Sequence, residues 1–330
     1  MHQLKPLVIS SLYSLKFFDM MRQLKKKRVI ILMYHRFSQK PQPFKIQQSI
    51  FENQIKFLKK KYNFISLKHY SEVLNGKRDD LPNNPIIITI DDGYQDNYTF
   101  AYTILKKYSI PATIFLVTDF ISHKSWLWSN KLEYILKNSE FSKFEFPLNG
   151  KSVQFRVDTF KTWHTSQLAL FNHCRTVTDE EKNKLLDELA KHLKVDVPEK
   201  TLGDFQALTW EQIMEMKNNG IDFGSHTCSH PILSQLTKDR LEYELNQSKE
   251  VIEKNASGEI DLLCYPNGSV NDINDTVVKK TQQAGYKCGV TTMPGFNNQV
   301  DENPFILKRI SILKDGPAFL SRALTRIGLP

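Results

Sequence analysis

Short apolar segments alternate with amphipathic, helix-like segments along most of this 330-residue chain. Runs rich in apolar and β-branched residues predict strands at 29–34, 63–67, 86–90, 112–117, 221–223, 261–265, 288–292 and 306–310. Apolar residues at helical spacing predict helices at 51–60, 97–108 and 238–254. Strands that alternate with helices predict an α/β fold with a mostly parallel sheet, either open or closed into a barrel.

One long stretch, from about residue 121 to 205, interrupts this alternation. It is rich in Lys, Glu, Phe and Trp, and it is helix-like at 178–193. We interpret it as a helical insertion that covers or shapes a substrate cleft. Trp126 and Trp128 lie in it, and we expect them either to stack on a sugar or to be buried in the core.

The N-terminal segment has its own pattern. Its apolar residues fall at helical spacing, and the basic run 25–28 follows them; the apolar positions are Leu4, Val8, Leu12, Leu15 and Phe18. We divide the chain into an amphipathic and basic extension at 1–28 and a catalytic domain at 29–330. The extension either contacts an anionic membrane surface peripherally or packs on the domain. Its apolar stretch is short for a membrane span and lacks a secretory cleavage site, which favours a cytoplasmic protein. If the extension binds a membrane, we expect peripheral contact with the inner face.

Charge and cysteine content narrow the partners. The formal net charge is +9, which favours anionic neighbours. No basic helix interleaved with aromatic residues occurs, so we predict no nucleic-acid partner. The four cysteines (Cys174, Cys228, Cys264 and Cys288) have no CxxC spacing, which indicates a reducing compartment in place of a disulfide framework.

Two adjacent carboxylates, Asp91 and Asp92, end the apolar strand at 86–90 and precede Gly93. Carboxylates are rarely buried without a partner, so this position indicates a functional site. Because a strand alternates its faces, the two side chains should point different ways and have different roles. The alternative is a loop that caps the helix at 97–108, since Asp is a good N-cap.

Two histidines, His226 and His230, follow the strand at 221–223. One Asp and two His form a common ligand set for a divalent metal, with zinc as the default. In parallel α/β folds, chemistry gathers at the carboxyl ends of strands. Asp91, Asp92, His226 and the pair Tyr265-Pro266 all lie at the carboxyl ends of predicted strands. Each histidine alone is nevertheless more often a satisfied polar residue than a ligand.

Three motifs together resemble the polysaccharide deacetylase family, which shares the NodB-type carbohydrate esterase domain. They are TIDDG at 89–93, HTCSH at 226–230 and CYPNG at 264–268, with Ile in place of the usual Phe in the first and Cys in place of the usual Arg in the third. LMYH at 32–35 is similar to the MYH element of the poly-N-acetylglucosamine deacetylase branch. The similarity extends over about 29–312.

The resemblance implies a distorted (β/α) barrel and metal-dependent hydrolysis of an N-acetyl group from an amino sugar. It implies that Asp92, His226 and His230 are metal ligands and that Asp91 is the general base. The backbone N–H of Tyr265 would then help to hold the oxyanion.

Two departures from the family pattern need replacements. No His follows His230, so we expect His35, after the first strand, to be the catalytic acid; a structural loop histidine is the alternative. Arg309 is the candidate for the missing Arg that orients Asp91, unless it lies on a solvated strand face. We expect Pro266 to contact the substrate.

The predicted substrate is a bacterial-type glycan of the cell envelope or its lipid-linked precursor, and a cytoplasmic location favours the precursor. One alternative is hydrolysis of another C–N amide, such as a formamide, at the same site. A second is a catalytically decayed barrel that only binds carbohydrate. A phosphotransferase with an Asp nucleophile is disfavoured because no companion Lys or glycine-rich phosphate loop is present.

Overall fold

The computed structural model describes residues 6–312 and 317–325. The start of the predicted extension 1–28, including Leu4, lies outside the described residues. So do residues 313–316 and 326–330 of the predicted domain 29–330.

The strands, in chain order, are β1 Arg28–Tyr34, β2 Phe37–Ser38, β3 Ile46–Gln47, β4 Asn63–Phe64, β5 Pro85–Ile90, β6 Ala112–Leu116, β7 Lys143–Leu148, β8 Lys151–Arg156, β9 Ile221–Ser225, β10 Leu262–Cys264, β11 Cys288–Pro294, β12 Asn297–Asn298 and β13 Leu307–Ser311. The α-helices are α1 Pro6–Ser14, α2 Phe17–Leu24, α3 Gln48–Lys59, α4 Leu67–Leu74, α5 Thr103–Tyr108, α6 Thr118–Ile121, α7 Trp128–Lys137, α8 Phe160–Cys174, α9 Asp179–His192, α10 Trp210–Asn218, α11 Lys238–Ala256, α12 Asp275–Gln283 and α13 Pro317–Thr325. A π-helical turn, Asn97–Tyr102, precedes α5, and 3₁₀ turns occur at Gly203–Phe205 and Leu233–Gln235.

Seven parallel strands close into a barrel in the order β1, β13, β11, β10, β9, β6 and β5, with β5 pairing back to β1. The closing pair is long and regular, from Ile30 opposite Ile86 to Tyr34 opposite Ile90. The far side is less regular, since β9 and β10 share only the pair Leu263 and Ser225. The predicted fold class, a distorted (β/α) barrel, is confirmed.

Alternate residues of the barrel strands serve two cores. Val29, Ile31 and Ile87 pack in one cluster with residues of β6, β10, β11 and β13. Side chains from so many strands can meet only inside the barrel. The intervening residues, such as Ile30 and Ile86, pack against the helices. This two-sided burial explains why the strands are continuously apolar in sequence.

The insertion has its own apolar cluster, which runs from Trp128 to Val195. It is built from α7, α8, α9 and the antiparallel hairpin β7–β8. Thr178 begins α9 with a capping box, in which its hydroxyl accepts from Glu181 N–H and the Glu181 side chain accepts from Thr178 N–H.

The N-terminal segment forms two helices that break at Lys16, whose φ is 56°. In α2, Phe18 is buried and the Arg22 guanidinium donates to the Lys61 carbonyl. Lys26 O also accepts from Asn84 N–H. These contacts lie at the amino ends of β1, β4 and β5. Of the described helices, none has the length and apolar character needed to cross a bilayer.

Candidate active site

The polar residues that follow the barrel strands meet in one cavity of about 360 Å³. Asp91 and Asp92 reach it from β5, His35 from β1, and His226 and His230 from the loop after β9. The carboxyl ends of parallel strands lie at one end of a barrel, so residues far apart in sequence share this cavity.

Asp92, His226 and His230 form a group that fits a divalent metal. Their potential ligand atoms lie within 4.8 Å of one another, and Asp92 Oδ1 is 3.5 Å from His226 Nε2 and 3.7 Å from His230 Nε2. Apart from these contacts, no described residue hydrogen-bonds to the Asp92 carboxylate, although it is buried. A buried carboxylate without a donor is unfavourable unless a cation neutralises it.

Protonation of the imidazoles also suits a metal. Burial lowers the pKa of His226 and, together with the neighbouring His226 ring, that of His230, so both stay neutral near pH 7. His226 Nδ1 lies 2.7 Å from Cys264 O, which directs its Nε2 toward Asp92. Such a bond fixes the ring of a metal-binding histidine.

The Asp91 carboxylate is held by Arg309, a residue of β13. The guanidinium donates to both carboxylate oxygens at 2.7 Å, and both side chains are fully buried. Arg309 also donates to Thr89 Oγ1 and Thr291 O. Burial alone would raise the pKa of Asp91, but the charge of Arg309, followed by that of His35, holds this pKa below its usual range.

Cys264 occupies the position where the family motif has Arg. Its sulfur lies 3.1 Å from Arg309 Nη2, so a small residue here leaves room for the guanidinium from β13. Asp91, His226 and Cys264 form a second acidic and thiol group. A metal ion there would face the Arg309 charge, so this group is a poor cation site.

His35 lies on the solvent side of Asp91. Its Nε2 is 3.6 Å from Asp91 Oδ2, and the side chain is about half exposed. Asn97 Nδ2 donates to the His35 carbonyl and ties this loop to the turn before α5.

Tyr265 lines the cavity, but its N–H and the neighbouring Pro266 do not take the positions expected of them. The Tyr265 N–H donates to Val290 O at 3.1 Å as part of the barrel sheet, so it is not free to hold an oxyanion. The Tyr265 hydroxyl lies against Gly289, so closely that a Cβ atom added at this glycine would clash with it. Pro266 is buried and does not line the cavity, which Asn267 and Ser269 do.

The two tryptophans that were predicted to contact a sugar lie in different surroundings. Trp128 lines the cavity but is buried, and its ring packs on Phe171 and beneath Lys182. Trp126 does not line the cavity; its indole donates to Pro198 O and packs on Tyr134. Trp128 is therefore buried in the core of the insertion, whereas Trp126 is half-buried, and stacking of a sugar on either ring stays a prediction.

Glu244, a fully buried carboxylate of α11, was not among the residues predicted from the sequence. It accepts from the N–H groups of Cys228 and Ser229, at 2.8 and 3.0 Å, and from the Ser229 hydroxyl. Arg240, one turn earlier, pairs with it. In the same loop Thr227 and His230 have φ values of 70° and 60°, a costly conformation for these residues that the bonds to Glu244 help to maintain. The sequence signal was a Glu in the apolar stripe of a helix.

Comparison with known proteins identifies the family of this chain. The sequence profile described as polysaccharide deacetylase matches residues 78–289. A putative polysaccharide deacetylase of Bacillus subtilis, YxkH, is 26% identical over 290 residues, which are 87% of this chain and 72% of that protein. A poly-β-1,6-N-acetyl-D-glucosamine N-deacetylase of Staphylococcus aureus is 37% identical over 84 residues, 25% of this chain and 28% of that one.

Among solved structures, the fold is similar to that of the Streptococcus pyogenes deacetylase PplD in complex with acetate. The TM-score is 0.59 at 22% identity, and the match covers 92% of this chain and 99% of that one. The profile match covers well over half of the chain and includes both the carboxylate and the histidine motifs. The chain belongs to the polysaccharide deacetylase family, enzymes that hydrolyse the C–N bond of an N-acetyl group.

Proposed function

We propose that this protein removes an N-acetyl group from an amino sugar of a bacterial-type glycan or its lipid-linked precursor, with a divalent metal, most simply zinc. The observation that carries the proposal is the convergence of Asp92, His226 and His230 beside the Asp91–Arg309 pair in one cavity. Zinc fits because two neutral imidazoles and one carboxylate leave a coordination position open.

In this mechanism Asp92, His226 and His230 hold the metal, which when bound lowers the pKa of water and polarises the acetamide carbonyl. Asp91 accepts the proton of the attacking water, and Arg309 fixes the orientation of its carboxylate through two parallel bonds. His35 donates a proton to the leaving amine. Its position supports that assignment, since it is half exposed and faces the same carboxylate.

The test is acetate release. The purified, zinc-loaded protein is incubated with N-acetylated and N-formylated forms of the same amino sugars, and acetate and formate are measured. We expect acetate release that stops with a chelator and returns with added metal. Formate release alone would indicate the other amide as substrate. Sugar binding without either product would indicate the decayed barrel.

A further inference from the structure

A cleft between the barrel and the insertion is unusually apolar for a surface of this protein. Four of the exposed large hydrophobic side chains line this one cavity of about 1020 Å³: Phe44, Phe141, Phe160 and Leu168. Each is at least 37% exposed. Contiguous exposed apolar surface usually marks a binding site, and this volume is at the upper end for ligand pockets. We call this region the apolar cleft.

The apolar cleft is continuous with the catalytic cavity. His35, Asp92, Ser129 and Phe171 line both. A group that fills the cleft therefore ends beside the reacting acetamide. The simplest occupant is a part of the substrate itself.

The lysines and arginines of the cleft are already paired. Among the described residues that line it, the lysines and arginines are Arg36, Lys45 and Lys137. Arg36 lies 3.5 Å from Asp96, Lys45 lies 3.1 Å from Asp204, and Lys137 lies 2.6 Å from Glu133. Neighbouring carboxylates therefore engage these cations, whereas most of the accessible surface of the cleft is apolar.

The aromatic rings of the cleft also face one another. Phe160 is nearly parallel to His164, with an interplanar angle of 5° and 6.1 Å between ring centroids. Phe44, from the barrel side, packs on the same His164 at 5.2 Å. Phe44 and Phe160 nevertheless stay more than half exposed, so their rings and the Leu168 side chain present apolar surface to the cleft.

We propose that the apolar cleft binds the lipid chain of a lipid-linked amino sugar, whose N-acetyl group then lies in the catalytic cavity. This inference rests on the proposed deacetylase function. It narrows the substrate to an amphipathic molecule and gives the insertion the role of a lipid-binding wall. A soluble polysaccharide chain in the cleft is the competing outcome.

Lipid binding is tested apart from turnover. Binding of farnesyl phosphate to the purified chain is measured by calorimetry against methyl phosphate, which has the same anionic group. We expect farnesyl phosphate to bind at least tenfold more tightly, and Phe160→Ser and Leu168→Ser each to weaken it about tenfold. Leu202→Ser and Val300→Ser remove exposed apolar side chains that lie outside the cleft and serve as matched controls. Equal binding of the two phosphates would overturn the proposal.

Turnover separates the two proposals. Acetate release is compared for N-acetylglucosamine joined through phosphate to a farnesyl chain, for the same sugar joined through phosphate to methyl, and for a soluble N-acetylglucosamine pentamer. We expect the ratio of kcat/KM for the farnesyl over the methyl substrate to fall at least tenfold in Phe160→Ser. An equal loss on the pentamer would assign the cleft to sugar and overturn the inference. Farnesyl phosphate binding without acetate release from any substrate would contradict the proposed function, while lipid binding by the apolar cleft would still be supported.

Discussion

Replacing Arg309 by Met gives the sharpest test of how the site is held. Arg309 and Asp91 are each only 1% exposed, and two hydrogen bonds of 2.7 Å join their side chains. Met removes the charge at similar length, which leaves a buried carboxylate without its cation. Removing one partner of such a pair costs about 3–5 kcal/mol. Total stabilities are roughly 5–15 kcal/mol, so the variant should lose a large share of its free energy of unfolding.

Urea unfolding followed by circular dichroism measures this loss, and acetate release measures the effect on the base. Arg78→Met is the matched control, because Arg78 pairs with Asp80 at the surface, where solvent screens the pair and its contribution to stability is small. Adding Asp91→Asn to Arg309→Met should recover stability but not activity. Wild-type unfolding and wild-type turnover in Arg309→Met would refute the reasoning.

The contact between Arg309 and Cys264 predicts a rescue. Because the guanidinium lies 3.1 Å from the Cys264 sulfur, an Arg at 264 can occupy the same space once Arg309 is shortened. We expect Cys264→Arg with Arg309→Ser to regain acetate release that Arg309→Ser alone loses. No gain over the single variant would show that the position of the guanidinium matters beyond its charge.

Three further predictions concern the metal and the acid. Glu244→Ala should weaken metal binding about 10–100-fold, because the loop that carries His226 and His230 loses its bonds to Glu244. Competition with a chromophoric chelator measures the affinity, and the surface variant Glu242→Ala is the control. Equal metal affinities of the two variants would contradict a role of Glu244 in holding the loop. Asp92→Asn should remove most bound metal, measured by elemental analysis after dialysis, and full retention would exclude Asp92 as a ligand. His35→Ala should lower kcat by about 10²–10⁴ with unchanged metal content, and a metal loss in parallel would instead place His35 among the ligands.

The barrel and the meeting of its strand ends were predictable because burial on both faces leaves a continuous apolar signal. Asp91, Asp92, His226 and His230 follow strands, and parallel strands bring their ends together whatever the intervening sequence. Their roles remain predictions. Tyr265 was wrongly chosen as an oxyanion donor because the pattern does not tell which N–H groups the sheet uses.

Other features depend on side-chain packing that the sequence does not encode locally. Arg309 is 218 positions from Asp91, and only the closure of the barrel shows that it points inward. The sequence does not show what contacts Trp128 and Trp126, because their partners, such as Phe171 and Pro198, are distant from them in sequence. Glu244 was not predicted because α11 otherwise has the ordinary sequence pattern of an amphipathic helix.

The position of the N-terminal helices limits how the molecule can approach a membrane. Helix α2 and the residues after it contact the amino ends of the strands, whereas His35 and Asp92 lie at the carboxyl ends. Strand β1 alone separates the two ends by about 20 Å, at roughly 3.3 Å per residue. A bilayer in contact with α2 and the basic run 25–28 would face away from the catalytic opening. In that orientation a sugar attached directly to a lipid would lie on the far side of the barrel from Asp91, whereas a bilayer at the insertion side would lie beside the apolar cleft.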